Sequence, residues 1–217
     1  MLKWFFGLLI AGWCGLLWVW FGGHAQSTAL RPARPEKPTR EKHYVTVKQL
    51  AASGAWRDQR VESFSARAHD GTRLESKDLE GKRAAVLVFI KTDCPCSVEF
   101  EPFFHRLEHR YRGRVRFFGV IDAGLDVARR YALANKVPYP VLADPKRSII
   151  KRFKAENGGY VVLLKPTGVV DTLWPGCSVE MMRELGRRIA ALAGVKERPF
   201  DVAGMPTVLT TGCPFVP

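Results

Sequence analysis

Cysteine is scarce in this chain, with five in 217 residues at positions 14, 94, 96, 177 and 213. Five scattered cysteines cannot build a disulfide scaffold, and no Cys-x-x-Cys pairs frame a zinc site, so any cysteine chemistry must be local. Acids are also in short supply, 21 Asp and Glu against 34 Lys and Arg, which leaves a formal charge of +13. The cations do not gather into one basic run. From Arg31 to Arg198 they alternate with acids and apolar residues, and the aromatics fall in apolar stretches that read as core. No nucleic-acid motif is present, so nucleic acid is not an expected partner, and a solvated basic surface beside anionic lipid is the better reading. There is no internal repeat or low-complexity tract, and no histidine follows His109. Hydrophobic residues make up 47% of the chain and charged residues 25%, which excludes wholesale disorder and fits one catalytic-size domain.

Trp4 to Gly23 is a stretch of 20 residues without a formal charge. As a helix it would extend about 30 Å, the thickness of a bilayer core. Aromatic residues at both ends favour a retained anchor, whereas Gly23-His24-Ala25 suits a signal cleaved after Ala25. Residues 1–25 are therefore expected to be a transmembrane anchor or a signal peptide, and both bring the chain to a membrane. Arg31, Arg34, Lys37, Arg40 and Lys42 pull toward a cytoplasmic side, while the signal-like pattern implies export. The expectation is a membrane-anchored protein on the extracytoplasmic, periplasmic side. Residues 26–60, with Pro32, Pro35 and Pro38 among alternating charges, read as a linker, its later part from Val45 to Ala55 able to form a short helix.

From Val61 onward strand-like and helix-like stretches alternate, which marks the α/β class. Ala84 to Ile90 is a continuous apolar run, as in a central strand covered on both faces, and Val115 to Ile121 is a second. Between them, Phe100, Phe103, Phe104, Leu107 and Tyr111 recur at helical spacing over Val98 to Arg112. Leu125 to Asn135 predicts another helix, Tyr160 to Leu164 and Gly168 to Leu173 a strand pair, and Val179 to Ala193 a final helix. Residues 195–217 carry no strong helix pattern and read as a tail.

The chemistry should sit at the junction after the first central strand, Lys91-Thr92-Asp93-Cys94-Pro95-Cys96-Ser97. A thiol at the first turn of a helix faces unpaired backbone N–H groups and the positive end of the macrodipole, which favour thiolate. Pro95 suits the first helical position, where its missing N–H costs nothing. Two cysteines one residue apart at such a junction point to redox or metal work.

The order of elements and this motif resemble the thioredoxin-like superfamily. Specifically, they resemble its redoxin branch of exported thiol–disulfide oxidoreductases and alkyl hydroperoxide reductase/thiol-specific antioxidant-like proteins. The resemblance covers residues 61–194 and rests also on Asp70-Gly71-Thr72, Leu79-Glu80-Gly81-Lys82, Pro138 to Asp144, and Lys165-Pro166-Thr167-Gly168. It implies a three-layer fold around a central mixed sheet, redox-active cysteine, antioxidant-type or disulfide-exchange activity, no organic cofactor, and partners that are thiol- or disulfide-bearing proteins or small thiols. In thioredoxin-type proteins a proline lies eight residues after the nucleophilic cysteine, and here Pro102 gives that place to Cys94. Cys94 and Cys96 are then the expected catalytic pair, Cys96 resolving, with Asp93, Pro95 and Ser97 in support. Asp93 would raise the thiol pKa and Lys91 lower it.

The pattern departs from the resemblance in three ways. The resolving position three residues on is Ser97, and Cys96 lies off it, so a Cys94–Cys96 bridge would close a smaller, strained ring. The position of the usual cis-proline falls on Gly159, where a substrate peptide can still approach the backbone closely. The Thr or Ser and the Pro that shape a peroxidase pocket are replaced by Lys91 and Leu87, or by Asp93 and Phe89 in the Cys96 register. Alternatives are a Cu(I) site or a non-catalytic module using Cys94 and Cys96, since two soft thiolates can hold that ion. Otherwise no metal is expected. His105 and His109, one turn apart, read as a helix face. Cys213, in Thr210-Thr211-Gly212-Cys213-Pro214-Phe215, is a candidate resolving thiol on a mobile tail, and Cys177 a buried or capping one.

Overall fold

The structure, a computed structural model, describes residues 43–215. The expected anchor or signal at 1–25 and the first part of the linker lie outside the described residues. Among those described, no helix is long and apolar enough to cross a membrane.

The centre is a five-stranded mixed sheet built on β4 (Ala84–Ile90). β4 runs parallel to β5 (Val115–Ile121), which in turn is parallel to β6 (Val141–Ala143); on its other side lie antiparallel β7 (Val161–Leu164) and β8 (Val170–Trp174). All seven residues of β4 are buried, as its unbroken apolar sequence predicts, because each face has its own cover. Val86, Val88 and Ile90 pack with α2 (Pro95–Arg110), α3 (Leu125–Ala134) and α5 (Val179–Leu192). Ala85, Leu87 and Phe89 face the other way, toward α4 (Ser148–Arg152) and the hairpin of β2 (Ser65–Arg67) and β3 (Arg73–Glu75). Burying a Leu or Phe contributes about 1.5–3 kcal/mol, so this strand locks both layers together. The result is the expected three-layer α/β arrangement.

Helix α2 begins one residue after Cys94 and contains Pro102, whose missing N–H leaves the carbonyl of Val98 without its i→i−4 partner. Phe100, Phe103, Phe104 and Leu107 of α2 are buried on the sheet. β4 and β5 end side by side in register, Ile90 opposite Ile121, so the α2 N-terminus stands at the carboxyl edge of parallel strands. Ligands of open α/β sheets collect at that edge.

Two segments carry structure beyond the expected linker and tail, the short helix expected over Val45 to Ala55 apart. Residues 43–60 carry β1 (His43–Tyr44) and α1 (Val47–Gly54), with a capping box in which Thr46 and Gln49 satisfy each other's backbone N–H. The spacer composition therefore gives way to folded structure before residue 60, because Trp56 finds a partner in Phe153, ring centroids 5.7 Å apart. Residues 195–215 are not a loose tail. Met205 is buried, and β9 (Thr210–Thr211) pairs antiparallel with β1. This packing had no helical or strand periodicity to announce it.

Candidate active site

The turn between β4 and α2 is fixed from three sides. The backbone N–H and the hydroxyl of Thr92 both donate to Asp122 Oδ1 at 2.7 Å, and Lys91 Nζ lies 3.0 Å from Asp122 Oδ2. Lys91 N–H donates to Ser97 Oγ at 3.2 Å. Asp93, exposed, takes a left-handed φ of 57°, which turns the chain so that Cys94 becomes the N-cap of α2 with Pro95 following. Pro95 and Ser97 thus occupy the places expected of them, Ser97 by bonding the turn. Asp93 acts through backbone shape.

Cys94 is 2% exposed and Cys96 8%. The Cys94 thiol is pulled down to about 4, first by the side chain of Cys96; burial opposes this, and the Cys213 side chain and the backbone N–H groups of Cys213 and Ser97 add to it. The expected tuning by Asp93 and Lys91 is not what sets this thiol. Lys91 is occupied by Asp122, and hydrogen bonds to sulfur replace opposing charges as the cause.

Cys213 approaches from a separate segment. Its backbone N–H donates to Cys94 Sγ at 3.0 Å. Antiparallel pairing brings it there: Gly212 N–H donates to the Gly158 carbonyl at 2.6 Å, and Gly158 N–H to the Cys213 carbonyl at 3.0 Å. Asn157 Nδ2 holds the Gly212 carbonyl at 2.9 Å and is itself held by Gln49 Nε2, 2.9 Å from Asn157 Oδ1. Gly158 has no room for a side chain, since a Cβ would stand 2.9 Å from both Ser97 Oγ and Lys91 Cβ. Gly159, at φ +82°, donates to the Phe89 carbonyl at 2.7 Å. The loop expected at Gly159 to let a substrate peptide approach holds, through Gly158, the chain's own Gly212 and Cys213. The Cys213 thiol is pushed up to about 11, by burial first and then by the Cys94 thiolate beside it. Cys177 is fully buried with its thiol 3.5 Å from the Gly159 carbonyl, and burial raises its pKa. It is structural.

A carboxylate that sequence reading passed over lies beneath the helix. Glu101 is 1% exposed and accepts from the hydroxyls of Tyr139 at 2.6 Å and Tyr131 at 3.0 Å; Tyr131 also bonds the Ser97 carbonyl at 3.2 Å. A lone Glu on an amphipathic helix gives no sequence signal, and only the two tyrosines from elsewhere in the chain explain its burial. His105 Nε2 is 3.3 Å from Glu101, which separates it in role from His109. Among the described residues, no group of three or more His, Cys, Asp or Glu is arranged to hold a metal ion.

Solved structures share this architecture. DsbF from MTB, seen in mixed oxidized and reduced forms, is 29% identical, with a TM-score of 0.51 over 59% of this chain and 94% of that one. A secreted Mycobacterium tuberculosis disulfide oxidoreductase homologous to E. coli DsbE is 22% identical, TM-score 0.51, over 59% and 95%. Peroxidoxin BcpB from Mycobacterium tuberculosis is 17% identical, TM-score 0.53, over 64% and 97%. No curated protein matches the chain significantly. The fold is thioredoxin-like, a thiol redox role follows from the family, and residues 58–173, more than half of the sequence, match the AhpC/TSA family model: the chain belongs to the AhpC/TSA family.

Proposed function

We propose that the protein is a thiol–disulfide oxidoreductase that exchanges disulfides with protein or small-thiol partners through Cys94. It would be held at the membrane by residues 1–25, with its folded unit on the extracytoplasmic side. One observation carries the chemistry: Cys94, the N-cap residue of α2, has its thiol drawn down to about 4, while a second thiol, Cys213, is held against it at about 11. The DsbF-like and secreted DsbE-like neighbours support disulfide exchange over peroxide reduction, as do Lys91 and Leu87 at the pocket positions.

In the reducing direction, the Cys94 thiolate attacks one sulfur of the partner's disulfide. A Cys94–partner disulfide forms, and the partner's other sulfur leaves as a thiolate that takes up a proton. Consuming the Cys94 anion removes one of the two main causes that hold the Cys213 proton in place. Cys213 then loses that proton and attacks Cys94 Sγ, expelling the partner's second thiolate and leaving a Cys94–Cys213 disulfide. The partner gains two electrons and the enzyme loses two; an external dithiol restores it. Cys213 is assigned this resolving step over Cys96. Cys96 belongs to the same helical turn as Cys94, so a bridge there strains the helix start, whereas Cys213 arrives on a separate segment that follows β9. Cys96 keeps the role of holding the thiolate.

The full-length protein should reduce insulin disulfides with dithiothreitol as the electron source, and Cys94→Ser should abolish turnover. Equal turnover in the variant, or stoichiometric Cu(I) uptake by a protein with no turnover, would overturn the assignment.

A further inference from the structure

Taking Cys94 as the reacting sulfur, as proposed above, the arrangement around it also indicates what it reacts with. The tail covers it. A partner disulfide cannot reach a sulfur that is 2% exposed unless the strand above it moves. That strand is held largely through main-chain bonds: Gly212 and Cys213 to Gly158, Thr210 to Cys177 in both directions at 2.8 and 3.0 Å, and Phe215 N–H to the Glu156 carbonyl at 2.8 Å. Main-chain ladders do not distinguish one extended peptide from another.

We infer that the groove filled by Thr210–Pro214 is the binding place for an extended, cysteine-bearing strand of a partner protein, which enters by exchange with the tail and carries glycine immediately before its cysteine. The glycine requirement is steric. A Cβ at position 212 would stand 2.7 Å from the Gly158 carbonyl oxygen and 3.2 Å from Cys94 Sγ, and neither the backbone of that loop nor the buried sulfur can yield cheaply. The next residue must supply an N–H, because the Cys94 sulfur accepts one at 3.0 Å. Proline is tolerated after the cysteine, as Pro214 shows. Asn157 Nδ2 would take the glycine carbonyl of the incoming strand as it now takes that of Gly212. The tail is thus a stand-in for the substrate, and its return both evicts the partner's strand and delivers Cys213 to the sulfur it must attack.

The test is non-covalent, using the full-length reduced protein and synthetic peptides of residues 208–215 carrying C213S, with Gly or with Ala at position 212. In the wild-type chain, millimolar Gly peptide should speed hydrogen exchange of the Gly212 and Cys213 amides by competing the tail away, and the Ala peptide should not. Gly212→Ala in the protein should lift the tail and raise the rate of Cys94 alkylation by iodoacetamide at least about tenfold. The Gly peptide should then restore protection in that variant. Unchanged amide exchange with both peptides, or equal effects of the two, overturns the inference even if Gly212→Ala fails to fold. No disulfide is exchanged in these measurements, so amide exchange without insulin turnover would remove the oxidoreductase reading alone, and turnover without amide exchange would remove this one alone.

Discussion

The amide of Cys213 points at the sulfur of Cys94 from 3.0 Å, across 119 residues of sequence. The two thiols share one charge: the one that donors surround is ionised, and the one beside it keeps its proton. The proposed nucleophile and its proposed resolver are thereby distinguished before any partner arrives.

The first expectation concerns pH. With Cys94 drawn down to about 4, its alkylation by iodoacetamide should be nearly flat from about pH 6 to 8 and fall through pH 4. Cys96→Ala removes the largest cause of the lowered value, so the midpoint should move upward. Mass-spectrometric rate measurements across pH check this, and a midpoint near 9 in the wild type contradicts the site described above.

The second concerns the resolving step. Cys213→Ser should stall the reaction at a Cys94–partner mixed disulfide, visible as a long-lived adduct on non-reducing gels, whereas Cys96→Ser should continue to turn over. The reverse pattern would return the resolving role to Cys96.

Linkage gives the third. The folded-state value of Cys94 lies below its ordinary 9.0, so the reduced native state binds fewer protons than the unfolded chain between about pH 4 and 9. Stability contributed by this thiol is complete above pH 9 and is lost as pH falls toward 4. Cys213, raised to about 11, opposes it only above pH 9. Denaturant titrations should therefore show the advantage of reduced wild type over Cys94→Ser growing from pH 4 to pH 9. An advantage independent of pH would refute it.

A fourth expectation tests the loop opposite the sulfur. Gly158→Ala forces a Cβ against Ser97 Oγ and Lys91 Cβ, and should cost about 1–3 kcal/mol, read as a Tm several degrees lower. Gly124→Ala, where nothing lies within 4 Å of a Cβ and φ is −72°, is the control for the change of residue type, since Gly158 likewise has no left-handed φ.

Much of this arrangement is legible in the residues. Ala84 to Ile90 announces a strand covered on both faces because nothing polar interrupts it, and Pro102, through the resemblance to thioredoxin-type proteins, sets the register in which Cys94 is the expected nucleophile. Thr46-Val47-Lys48-Gln49 is a capping box readable as such. The route of the tail is not legible. A strand of two residues has no period to detect, and its partners Gly158 and Cys177 contribute backbone groups that every residue carries. Nor could the cause of the thiol's acidity be read from the flanking charges, because Lys91 is drawn away by Asp122, which stands at the end of another strand. Local sequence reports local forces, and this site is closed by pairings that run from 30 to 119 residues apart.

β9 is sandwiched: Thr210 and Thr211 pair with Tyr44 and His43, while the next residue, Gly212, bonds Gly158 on the opposite side. Lifting this ribbon off the sulfur therefore also unzips the first two described residues, His43 and Tyr44. If Cys94 turns over as proposed, each cycle would part and re-form the pairing of His43 and Tyr44 with Thr211 and Thr210.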